Sequence, residues 1–117
     1  MTTTTYKQRA GKRTIAVGTL SKERYSAEVE VVNSLGVHAR PASMLCTVAK
    51  KYDCESYLQK KGRKEDPVSA KSLMGIFSLE LGRRDYAIIS TVEHDSNDAE
   101  QCLEEIVDLF KSGFGED

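Results

Sequence analysis

From Tyr25 to Val31 the chain alternates, with Tyr25, Ala27, Val29 and Val31 apolar and Ser26, Glu28 and Glu30 polar between them. A period of two puts the apolar set on one face of a strand and the charges on the other, so a half-buried β-strand is expected here. Asn33-Ser34-Leu35-Gly36 then supplies turn residues. Beyond His38 the spacing becomes helical, with Ala42, Leu45, Val48, Ala49 and Tyr52 recurring at three and four residues. Pro41 fits only the first turn of that helix, where its fixed φ is already helical and its missing N–H would have had no partner. The helix is therefore expected to begin at about Ala39.

Cys54, Ser56 and Leu58 alternate with Glu55, Tyr57 and Gln59, a weaker second strand that ends at the Lys61-Gly62 turn. Arg63 to Pro67 is polar and reads as loop. Val68 to Ala70 is expected as a short third strand. Ser69 or Ser72 then caps a short helix through Leu79 that carries Leu73, Met74, Ile76, Phe77 and Leu79. Tyr86 to Val92 is rich in β-branched residues and reads as the last strand. Asp95 is expected to cap a final helix with Ala99, Cys102, Leu103, Ile106 and Phe110 on one stripe, ended by Lys111 and Gly113. The order β-α-β-β-α-β-α implies an α+β fold, an antiparallel sheet with its helices on one face and the other face wet.

With 117 residues the chain amounts to one domain. A hydrophobic fraction of 39% and a charged fraction of 30% describe a globular, soluble chain. It has no apolar run near the roughly 18 residues of a membrane helix and no secretory signal, so no membrane insertion and a cytoplasmic location are expected. Cys46, Cys54 and Cys102 are odd in number and widely spaced, which fits reduced thiols better than disulfides or a zinc site. No metal and no cofactor are expected.

The net charge of -1 hides an asymmetry. Residues 1–24 hold six basic side chains, Lys7, Arg9, Lys12, Arg13, Lys22 and Arg24, against Glu23 alone, a local charge of +5 that leaves −6 for the rest. The only apolar cluster in that segment is Ile15-Ala16-Val17, too little to fold by itself. Residues 1–24 therefore read as a basic, disordered extension to a domain spanning 25–117. Its charge would suit an acidic partner or RNA as well as plain solvation, but near-neutral overall charge gives no general nucleic-acid footprint, and no nucleic-acid partner is expected.

The two histidines differ in context. His94 lies in the polar run Glu93-His94-Asp95 and reads as a solvated surface residue. His38 stands directly before a helix start, after Gly36 and two residues ahead of Arg40. Free N–H groups at a helix start attract an anion, and Arg40 adds forked donors matched to phosphate oxygens. A neutral imidazole beside such a site can accept and hold a phosphoryl group. On spacing alone, a merely capping histidine remains an equal alternative.

The whole string Gly36-Val37-His38-Ala39-Arg40-Pro41-Ala42, followed by Ala70-Lys71-Ser72-Leu73-Met74-Gly75-Ile76-Phe77-Ser78-Leu79, resembles the two signature segments of the HPr family. These are the histidine-containing phosphocarriers of the bacterial phosphoenolpyruvate-dependent phosphotransferase system. The resemblance covers about Tyr25 to Ser112 and implies an HPr-like open-faced β-sandwich, a four-stranded antiparallel sheet with three helices on one face. It implies that His38 takes a phosphoryl group on Nδ1 from phospho-enzyme I and passes it to an enzyme IIA domain of a sugar permease, and that Arg40 steadies the transferring group. It implies that Ser72 is the serine modified by HPr kinase/phosphorylase in many members. Val37, Ala39, Leu73, Met74 and Phe77 then belong to the partner-docking surface. The family is a phosphoryl carrier, not an enzyme that turns over alone, and a monomer is the simplest state for serving two partners. A mainly regulatory role, nitrogen-type or read by the kinase, with transport secondary or lost, is the alternative.

Several positions depart from that pattern. The Lys61 to Ala70 segment is a few residues longer than usual, Glu80 and Arg84 stand where glycine is common, and Leu35 replaces a Ser or Asn found near the histidine in some members. The basic extension lies outside the common fold.

Overall fold

The computed structural model describes residues 13–17 and 20–116. Strands β1 (Arg13–Val17), β2 (Leu20–Glu30), β3 (Glu55–Lys60), β4 (Val68–Ser69) and β5 (Tyr86–Val92) form one antiparallel sheet in the order β1-β2-β5-β3-β4. Helices α1 (Ala39–Lys50), α2 (Leu73–Ser78) and α3 (Ala99–Lys111) complete the α+β fold, and a short 3₁₀ turn, Gly113–Gly115, follows α3. The four strands β2, β5, β3 and β4 are the open antiparallel sheet expected from the sequence.

The register explains why the sheet is one-sided. Ala27 faces Ile89, Val29 faces Ala87, and Leu58 also pairs with Ile89, so the period-two apolar sets of three strands line up on one face. All five of these side chains are buried. Helix α3 packs across β2, β5 and β3, and α1 packs against α3 and α2. Leu45, Ile76, Leu103, Ile106 and Phe110 are almost fully buried in the layer between. Cys46, Cys54 and Cys102 are free thiols inside this core. Among the described residues, no helix is long and apolar enough to cross a membrane.

Two boundaries differ from the sequence reading. β2 starts at Leu20 rather than Tyr25, and Arg13–Val17 pairs alongside it as β1. Lys22, Glu23 and Arg24 interrupt the apolar alternation that marks a strand, but an edge hairpin tolerates charge because water reaches it. The rest of the basic extension, residues 1–12 and 18–19, lies outside the described residues. The second difference is at α3, whose N-cap is Asp98 rather than Asp95. Ser96, Asn97 and Asp98 hold turn conformations well and delay the helix. The Thr91 hydroxyl then donates to the Ala99 carbonyl at 2.8 Å, tying the helix start to β5.

The loop after α2 positions the segment that leads to His38. Val31 N–H donates to Asp85 O at 2.8 Å, Arg84 N–H to Val31 O at 2.8 Å, and Val37 N–H to Leu81 O at 2.9 Å. Asp85 Oδ2 accepts from Gly82 N–H at 2.8 Å and pairs with Lys60 Nζ at 3.1 Å. The Gly82 amide, followed by Lys60, holds the Asp85 carboxyl below its usual range. The longer segment before α2 folds back on this loop, with Arg63 Nη2 at 3.2 Å from Glu80 Oε1. Glu80 and Arg84 adopt left-handed backbone at φ 51° and 76°, so the glycine geometry is kept without glycine.

A left-handed non-glycine residue costs about 1–2 kcal/mol, part of which glycine gives back through unfolded-state entropy. Arg84→Gly is expected to raise stability by up to about 1 kcal/mol in chemical denaturation, with the Val31 hydrogen bonds intact by amide exchange.

Candidate functional site

The site gathers at the start of α1. Gly36 must be glycine: at φ +68° a Cβ there would lie 2.5 Å from the Leu81 carbonyl and 2.8 Å from Gly82 Cα. That close approach presses residues 36–38 onto the 79–85 loop. His38 is the N-cap of α1, yet its ring makes no capping hydrogen bond to the helix. The first turn of α1 contains no acidic residue, and the N–H groups of Ala39 and Arg40 have no carbonyl partner within the helix. Pro41, third in the helix, is buried and supplies no N–H.

The His38 ring instead meets a residue the sequence did not single out. Nε2 lies 3.0 Å from both Oε1 and Oε2 of Glu116. A carboxylate only accepts, so Nε2 must carry the hydrogen; in the neutral ring this assignment leaves Nδ1 with its lone pair. Glu116 also receives Asn33 Nδ2–H at 3.0 Å on Oε1, and Arg40 Nη1 lies 3.4 Å from Oε2. Its carboxyl is held below the usual range, first by the hydrogen bond to His38 and then by Asn33 and Arg40, against the opposing effect of burial. The contact is therefore present above the ordinary carboxylate range, and it is lost only as pH falls through that lowered value.

Asn33 supports this arrangement from beneath. It is 1% exposed, and its Nδ2 also donates to Gly36 O at 2.7 Å. The chain end is delivered by Phe114, fully buried in the core with its ring 5.0 Å from that of Phe110 at 66°. Gly113, Phe114 and Gly115 are all left-handed, at φ 64°, 57° and 72°, which turns the chain back from α3 toward α1. Arg40 Nη1 donates to Phe114 O at 2.9 Å, and its side chain is 57% exposed. The guanidinium is thus tethered to the tail while most of it faces solvent.

The second signature segment builds an exposed apolar face. Ser72 caps α2, its Oγ accepting Gly75 N–H at 3.0 Å. Gly75 leaves room for it, since a Cβ there would come within 3.2 Å of that oxygen. Ile76 and Leu79 point into the core, whereas Leu73, Met74 and Phe77 are 40%, 76% and 38% exposed. Ala39 is exposed beside His38, but Val37, placed on the docking surface by the sequence, is buried. Its own backbone N–H donates to Leu81 O while its side chain packs into the core, so it holds the 33–38 loop against residues 79–85. Leu35 is 73% exposed on the same loop. An apolar groove of about 360 Å³ opens beside Arg40, lined by Ser43, Met44, Thr47, Val48 and Leu109.

Glu116 and Asn33 are the site residues missed by sequence reasoning. Glu116 is 78 residues from His38, and no spacing rule links them. The available signal was Gly113-Phe114-Gly115, a lone aromatic between glycines just past a helix end, which marks an anchored turn.

Known proteins share this fold. The family model described as the PTS HPr component phosphorylation site matches residues 25–112. The chain is similar to HPr-C-His from Thermoanaerobacter tengcongensis, at 33% identity and a TM-score of 0.69 over 79% of this chain and 97% of that one. It is similar to the phosphocarrier protein HPr from Bacillus anthracis, at 31% identity and a TM-score of 0.65 over 74% of this chain and 96% of that one. A histidine-containing phosphocarrier protein from Mycoplasma shares the fold at 24% identity and a TM-score of 0.60, over 75% of this chain and 94% of that one. The match spans both signature segments and every helix, and on that ground the chain belongs to the HPr phosphocarrier family of the phosphotransferase system.

Proposed function

We propose that the chain carries a phosphoryl group on Nδ1 of His38, taken from phospho-enzyme I and passed to an enzyme IIA domain of the sugar phosphotransferase system in the cytoplasm. The observation that carries this reading is the pairing of His38 Nε2 with both Glu116 oxygens at 3.0 Å, which leaves the Nδ1 lone pair for phosphorus. That lone pair attacks as the bond from phosphorus to the donor breaks, and Nε2 keeps its hydrogen throughout. Phosphoryl transfer needs positioning and charge neutralisation more than covalent help. The amides at the start of α1 and the exposed Arg40 fork supply both. As the group arrives, Arg40 exchanges Phe114 O and Glu116 for phosphoryl oxygens.

The chain is a reactant between two partners and works as a monomer, showing the same site to each. Leu73, Met74, Phe77 and Ala39 form the docking surface for enzyme I and enzyme IIA, continued by the groove beside Arg40. Ser72 sits half-buried next to this apolar face, where phosphorylation by HPr kinase/phosphorylase would place a dianion on a favourable helix start and oppose acidic partners. Regulation is thus a second use of one surface.

Incubation with phosphoenolpyruvate and a bacterial enzyme I is expected to give an acid-labile phosphoryl group that His38→Ala abolishes. Labelling that survives this change overturns the reading. In Glu116→Ala, ¹⁵N shifts of neutral His38 are expected to move from the Nε2–H toward the Nδ1–H tautomer, and phosphoryl acceptance to fall about tenfold or more, the loss of one charged hydrogen bond.

A further inference from the structure

A second cluster lies on two loops away from His38. After α1, Asp53 approaches the loop between β5 and α3 that carries His94 and Asp95. His94 Nδ1 is 3.9 Å from Asp53 Oδ2 and 3.8 Å from Asp95 Oδ2. The three donor atoms all lie within 4.8 Å of one another. The geometry points to a binding site for a borderline divalent transition-metal ion, of the Zn²⁺ or Co²⁺ class, formed by His94 Nδ1 and one oxygen each from Asp53 and Asp95.

One imidazole with two carboxylates is a donor set for such ions, whereas Ca²⁺ and Mg²⁺ prefer oxygen alone. Bond lengths of about 2.0–2.2 Å imply donor separations of roughly 3.4 Å in a tetrahedral site. From 3.9 and 3.8 Å the two His94 separations need to close by about half an ångström, and the two aspartate oxygens, within 4.8 Å of each other, by up to about 1.4 Å. All three residues are exposed, so core packing does not oppose that closure, and solvent can supply the fourth ligand.

The two loops are already joined by backbone contacts. Asp53 N–H donates to Asp98 Oδ2 at 2.8 Å, and Asp95 N–H to Asp53 Oδ2 at 3.3 Å. Two carboxylates stand within 4.8 Å of one imidazole donor and of each other, so negative charge is concentrated there. A cation would relieve that repulsion. It would also clamp the end of α1 to the start of α3, at the far end of α1 from His38.

The test is a Co²⁺ titration of the reduced full-length chain followed by visible absorption. One ion per chain is expected, with a dissociation constant below about 1 mM and no thiolate charge-transfer band, and with displacement by Zn²⁺. His94→Ala and Asp53→Asn are each expected to weaken binding at least tenfold, with folding verified by circular dichroism, while His38→Ala leaves it unchanged. Binding weaker than millimolar, binding that survives His94→Ala, binding lost with His38→Ala, or a thiolate spectrum would each overturn the site.

Discussion

The burial of Phe114 joins the fold to the site. A phenyl ring removed from water contributes about 2–3 kcal/mol, and here that gain holds a left-handed backbone, at φ 57°, which on its own costs about 1–2 kcal/mol. With the ring seated against Phe110, the residues beyond it have little choice of direction. The carbonyl of Phe114 meets Arg40, and Glu116 meets His38 and Asn33. The tautomer of His38 is thus set by a core contact made far along the chain.

The opposite side of the site depends on the 79–85 loop. Its backbone receives Val37, exchanges hydrogen bonds with Val31, and comes so close to Gly36 that no side chain fits. The loop in turn is held by Asp85, which gathers Gly82 and Lys60. His38 therefore stands between two supports, a strained loop and a strained tail. Local strain of this kind persists where surrounding packing over-determines it, and it is often concentrated at functional positions.

Much of this was legible in the sequence because it follows from local periodicity. Alternation over Tyr25 to Val31 and Tyr86 to Val92, helical spacing after Pro41, and a serine before an apolar run each act over a few residues. The division of α2, with Ile76 and Leu79 inward and Leu73, Met74 and Phe77 outward, follows from an excess of apolar positions over one buried face. What was not legible depends on contacts distant in the chain. The β1–β2 hairpin carries charges that blur its alternation and takes its stability from pairing. The α3 cap lies at Asp98 rather than Asp95 because two good turn residues, Ser96 and Asn97, stand between them. Glu116 and Asn33 join the site only because buried Phe114 turns the chain back onto α1.

The triple left-handed turn also has a practical side. A probe attached at Glu116 would stand on the carboxylate that holds Nε2. Such a probe would share the approach to the imidazole with whatever comes to dock. Probes belong instead on an exposed residue at the far end of α1, such as Lys50, where they leave the turn to do its work.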